Sequence, residues 1–98
     1  TGFSQTITNS GFTFNPDTLQ VTIGDNISFN ISASHNAVEV SETTFNNNGS
    51  TSNNGFNIPY GGGSWTADSI KTYYYVCQPH ASGGMKGVII SNPLPCDP

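Results

Sequence analysis

Charge is what this chain most conspicuously lacks. Only 8% of its 98 residues are Asp, Glu, Lys or Arg, against about 25% in an ordinary globular domain. Just two are basic, Lys71 and Lys86, and the net charge is −4. A nucleic-acid surface needs several clustered Lys or Arg to neutralise phosphates, so that partner is excluded. No apolar run approaches the roughly 20 residues of a membrane-spanning helix. No secretory signal peptide opens the sequence, and Thr1 is read as the start of a processed chain. No stretch combines helical periodicity with caps over ten residues, and there is no internal repeat. Sulfur and imidazole are scarce too: Cys77 and Cys96, one methionine, Met85, and two histidines, His35 and His80.

Asn, Ser, Thr and Gly fill the surface that charge leaves open. Between them, aromatic and β-branched residues recur at alternate positions, the pattern of half-buried strands. Strands are expected at Gly2 to Thr8, around Phe12 and Phe14, at Leu19 to Ile23, Ile27 to Ile31, Ala37 to Val40, Ser64 to Ala67, Ile70 to Val76 and Lys86 to Ser91. Leu19 to Ile23 and Ile27 to Ile31 flank Gly24-Asp25-Asn26 and are read as a hairpin. The Asn-rich region 43–57 is read as a surface excursion with at most one helical turn, anchored by Phe56 and Ile58. About seven or eight short strands imply an all-β sandwich or barrel. It forms one domain over residues 1–91, followed by a Pro-rich tail over 92–98. A chain of this length buries roughly 60–70% of its unfolded surface, enough for a single core.

The few metal-binding side chains are not scattered. Cys77-Gln78-Pro79-His80-Ala81-Ser82-Gly83-Gly84-Met85 holds a thiol, an imidazole and a thioether between two strand-like runs. These are soft or borderline donors, the set that suits copper. A blue-copper site takes two His and one Cys in a rough trigonal plane with a weak axial Met. The loop holds three of these, and His35 is the single candidate for the fourth. Gly83 and Gly84 let the loop turn back, and Pro79 stiffens the span between Cys77 and His80. Four protein ligands leave no open position for a substrate, which argues for an electron carrier rather than an enzyme.

The loop resembles the ligand loop of plastocyanin and related small cupredoxins, with C-x2-H-x4-M spacing. Phe14-Asn15-Pro16-Asp17-Thr18-Leu19-Gln20-Val21-Thr22-Ile23-Gly24-Asp25 resembles the family's F-x-P-x-x-L-x-V-x-x-G-D opening, and His35-Asn36-Ala37-Val38 its H-N-x-V. The resemblance runs from Phe12 to Ser91. It implies a Greek-key sandwich and one copper ion cycling between Cu(I) and Cu(II). It also implies each His binding through Nδ1, and Asn36 tying the His35 region to the Cys77 loop by hydrogen bonds. The implied protein is an exported monomer, in a periplasm, an extracellular space or an organelle lumen. It would exchange single electrons with redox proteins that dock near His80, Pro79 and Ala81. Where plastocyanins carry Tyr before the Cys, this chain has Val76, so their remote electron route is not expected. Its acidic residues (Asp17, Asp25, Glu39, Glu42, Asp68, Asp97) form no dense patch, so photosynthetic partners are not expected either.

Other readings of the same residues stay open at this level. Cys77 could pair with Cys96 in a disulfide; as a ligand it leaves Cys96 an odd thiol. His35 could be a satisfied edge histidine, Met85 a core filler and Asn36 an ordinary turn residue. Zinc could sit on Cys-His-His, though it favours tetrahedral sites without a thioether. As alternatives to electron transfer, the fold could serve as a non-redox copper-binding or interaction module of a larger secreted protein. It could also be an immunoglobulin-like adhesion domain without metal.

Overall fold

The computed structural model describes residues 4–94. Phe3 and Cys96 therefore lie outside the described residues, as does any Cys77–Cys96 pairing. Among the described residues, nine strands form two sheets. β1 (Ser4–Ser10), β2 (Thr13–Asn15), β4 (Asn26–Asn30) and β7 (Gly63–Thr66) make one sheet, in the order β2-β1-β4-β7. β3 (Thr18–Thr22), β9 (Lys86–Asn92), β8 (Thr72–Val76), β5 (Ala37–Val40) and β6 (Ser52–Ile58) make the other, in the order β3-β9-β8-β5-β6. β1 runs parallel to β4, and β3 parallel to β9. The remaining pairs are antiparallel.

The expected hairpin does not form. β3 and β4 belong to different sheets, so the turn after Thr22 is a corner that carries the chain across the sandwich. Gly24 supplies a left-handed φ of 96°. The buried Asp25 carboxylate accepts from Thr22 N at 3.0 Å, and Ala67 clamps the corner through bonds with Gly24 N and Asp25 O. Alternation assigns faces but not neighbours, and a hairpin and a sheet-switching corner look alike in sequence.

The Asn-rich region is also more ordered than an excursion. Ser41 caps a one-turn helix, α1 (Glu42–Asn46), by accepting from Thr44 N at 3.1 Å. β6 follows, pairing with β5 across an irregularity between Val38 and Val40. Glu39 stands in that irregularity and faces inward. Its carboxylate accepts from Phe56 N at 3.1 Å, Asn53 Nδ2 at 3.0 Å and Lys71 Nζ at 3.0 Å. A strand of poor β-formers thus holds its place through a buried acid. Phe56 and Ile58 do anchor it in the core.

Aromatic rings dominate the space between the sheets. Tyr75 meets Phe14 edge-on at 4.8 Å and Phe29 edge-on at 5.3 Å, and lies tilted against Phe56 at 5.9 Å. The hydroxyl end of its ring lies against Gly87, where any Cβ would collide with Tyr75 Oη and Cζ. Such edge-to-face contacts add about 0.5–1.5 kcal/mol each beyond area burial. On the outer face of the larger sheet, Val40, Val76 and Ala81 form a second small cluster beneath Phe45 of α1 and Tyr74.

Candidate metal centre

The site forms where the two sheets open at one end. β8 delivers Cys77, which is fully buried. Residues Gln78–Gly83 then form a 3₁₀ turn with Pro79 at its start. Gly84, at φ 92°, reverses the chain. Cys77 N donates to Met85 O at 2.9 Å and Met85 N to His80 O at 3.2 Å. These bonds close the neck of the loop and set the buried Met85 beside Cys77. Of the two glycines expected to turn the loop, only Gly84 has a left-handed φ.

His35 comes from the opposite side, between β4 and β5, and is 2% exposed. Its Nε2 lies 3.0 Å from Gly11 O. A carbonyl can only accept, so Nε2 carries a proton, and Nδ1 is the ring nitrogen turned to the interior. Nδ1 sits 3.6 Å from Cys77 Sγ. The His35 and His80 rings are 4.9 Å apart. One ligand atom each from His35, Cys77 and His80 falls within a span of 4.8 Å. Burial pushes the Cys77 thiol up, while hydrogen bonds with Asn36 and His80 backbone pull the other way. A metal taking this sulfur must therefore displace a proton.

Asn36 lies buried between the two halves. Its Oδ1 accepts from Gln78 N at 2.8 Å and its Nδ2 donates to Gln78 Oε1 at 3.1 Å. The residue after His35 is thereby joined to the residue after Cys77.

Two features were not visible in sequence. The Gly11-Phe12 turn supplies both the carbonyl on His35 and an aromatic ring over His80, 4.8 Å between centroids. Phe12 is 66% exposed; an isolated turn phenylalanine gives no hint of what it covers. Ala81 does not line this surface. The docking surface is expected to include it beside His80, but it is 1% exposed and packs with Val40 and Val76 in the small cluster on the outer face of the larger sheet. With three residues per turn rather than the two of a strand, the 3₁₀ segment aims Ala81 at the sheet while its neighbours stay toward solvent. Phe12, Pro79, His80, Ser82 and Gly83 line the hollow at this surface instead.

Residues 2–92 match the family profile of copper binding proteins, plastocyanin/azurin family. The chain belongs to that family. Its donor set, two imidazoles, one thiol and a thioether with no carboxylate among them, fits a single type 1 copper ion. No curated sequence matches the chain. Among solved structures, it is similar to pseudoazurin from Methylobacterium extorquens, with a TM-score of 0.69 and 16% identity over 91% of this chain and 75% of that one. It is similar to the oxidised plastocyanin of the fern Dryopteris crassirhizoma, with a TM-score of 0.62 and 21% identity over 90% of this chain and 100% of that one. A Cu(I) structure of an amicyanin variant gives a TM-score of 0.68 and 18% identity over 91% of this chain and 82% of that one. At these identities the neighbours speak for the cupredoxin sandwich, and the family match for copper.

Proposed function

We propose that this cupredoxin is a one-electron carrier whose copper is held by His35 Nδ1, Cys77 Sγ, one nitrogen of His80 and, axially, the Met85 thioether. The observation that carries the reading is the convergence of three donors within 4.8 Å, with His35 and Cys77 buried and His80 half-buried. Bound there, copper supplies a Cu(I)/Cu(II) couple. The protein's part is to keep the donors still. Gly11 O fixes the tautomer and tilt of His35, Asn36 ties it to the Cys77 strand, and the Cys77–Met85 bond shuts the loop. Donors set before the metal arrives change little with its charge, so each electron moves with little rearrangement. With four protein ligands, no position is left for a substrate.

Redox proteins would dock at the face formed by Phe12, Pro79 and His80, the part of the site nearest solvent. The alternative flank, beside Val76, supports no second docking site, because Phe45 and Tyr74 cover it. The family relationship favours an exported protein. Among the described residues, no helix is long and apolar enough to cross a membrane.

The test is optical. Cu(II) added to the protein should give an intense band near the red end of the visible spectrum. Cys77→Ser should lose the band yet remain folded, because a hydroxyl offers no equivalent sulfur-to-copper transition. A variant that keeps the band would remove Cys77 from the site.

A further inference from the structure

Gln78 is bonded on three sides, although its side chain lies at the surface. Its backbone N–H and side-chain Oε1 both engage the carboxamide of Asn36, at 2.8 and 3.1 Å. Its Nε2 turns the other way and donates to Ser50 O at 3.0 Å. Ser50 belongs to the Asn-rich connection between α1 and β6, residues 47–51. The start of that connection is held by Asn47 N and Gly49 N bonded back to α1 carbonyls. Its end enters β6, where Ser52 pairs with Val40. Ser50 is thus the point where this segment reaches the Cys77–Met85 loop.

The geometry points to Gln78 as a positioning residue that couples the α1–β6 connection to the metal loop, bracing the Cys77–His35 pair from outside through Asn36. Its importance for copper rests on the ligand assignment above; the coupling itself does not. A carboxamide can do this because it accepts at one atom and donates at the other. A hydroxyl or an aliphatic side chain at position 78 could not span from Asn36 to Ser50. Asn36 alone has both polar ends committed to Gln78, so its orientation depends on that one neighbour.

Two variants separate the links. Gln78→Ala removes both side-chain bonds. Gln78→Glu keeps an acceptor for Asn36 Nδ2 but has no donor for Ser50 O. Amide hydrogen exchange on the metal-free protein reads each link directly. Losing a net hydrogen bond should speed local exchange about fivefold. In Gln78→Ala, the amides of residue 78 and of residues 49–51 should both quicken. In Gln78→Glu, only those of 49–51 should. With copper loaded, Gln78→Ala should broaden the Cu(II) magnetic-resonance lines and release copper to a chelator about fivefold faster, and Gln78→Glu should restore the line width. Residues 49–51 exchanging at the parent rate in both variants would overturn the coupling. Identical line widths in all three proteins would overturn the bracing. A parent protein that takes up no copper would refute the proposed function while leaving the exchange result to decide the coupling.

Discussion

At the scale of single residues, the buried hydroxyls set this protein apart from a purely packed core. Tyr75 Oη and Ser91 Oγ are buried and have no partner among the described residues. Burial pushes the Tyr75 phenol far above its usual range, with Asp17 adding to the effect, so it stays neutral. An unpaired buried polar group costs about 1–3 kcal/mol. Tyr75→Phe keeps the ring contacts with Phe14, Phe29 and Phe56 and deletes only the orphan. Urea unfolding should show a variant at least as stable as the parent, with a gain of up to about 2 kcal/mol. A loss of more than about 1 kcal/mol would mean that an ordered water completes the hydroxyl. The scarcity of donor side chains is also what made the centre readable. With two His and one Met in the chain, choosing Cys77, His80 and Met85 left His35 without competitors. The carbonyl that orients His35 could not be chosen this way, because every residue has one.

At the scale of elements, periodicity told which faces are buried but not which strands meet. Leu19 to Ile23 and Ile27 to Ile31 alternate as expected, yet they enter different sheets because a clamped corner replaces the turn. β6 was missed because its sequence, SNNGFNI, has few β-formers. What holds it is Glu39, 17 residues before Phe56, whose carboxylate substitutes for broken ladder bonds. Gly55 leaves room for this, since a Cβ there would collide with Glu39 Oε1. Glu39→Ala should therefore strand Phe56 N and unpair Lys71. Lys71 is about half exposed and can rehydrate, so the cost should fall near 2–3 kcal/mol, below the 3–5 kcal/mol of a fully buried pair. Thermal melts of the metal-free protein check this. A change under 0.5 kcal/mol would show that β6 is held by Phe56 and Ile58 alone.

For the whole molecule, sparse charge shapes how it can meet others. No charged residue lies between Cys77 and Met85, and two of the few charges, Glu39 and Lys71, neutralise each other at 3.0 Å. Electrostatic steering needs clustered charge and can raise association rates by 10–10³. Here, electron exchange with a redox protein should change by less than about threefold between low and physiological ionic strength. Phe12→Glu should slow that exchange by about tenfold, the equivalent of 1.4 kcal/mol of docking energy, with the copper absorption unchanged. A steep salt dependence together with an inert Phe12→Glu would move the contact away from the His80 face. Ala81, which sequence alone would have chosen for this test, would instead break the small cluster with Val40 and Val76.

The parallel pairing of β3 with β9 joins Thr18 to Val88 and Thr22 to Asn92. During synthesis, β3 leaves the ribosome some seventy residues before β9, its one sheet neighbour among the described residues, exists. Until then it presents an open edge, Thr-Leu-Gln-Val-Thr, to anything nearby. Closing so long a loop also places this domain among the slower folders, in the millisecond-to-second class of β sandwiches. The thiol and thioether emerge in the same late stretch that completes the sheet. A nascent chain therefore cannot bring the proposed ligands together early, and metallation would wait for a nearly finished sandwich.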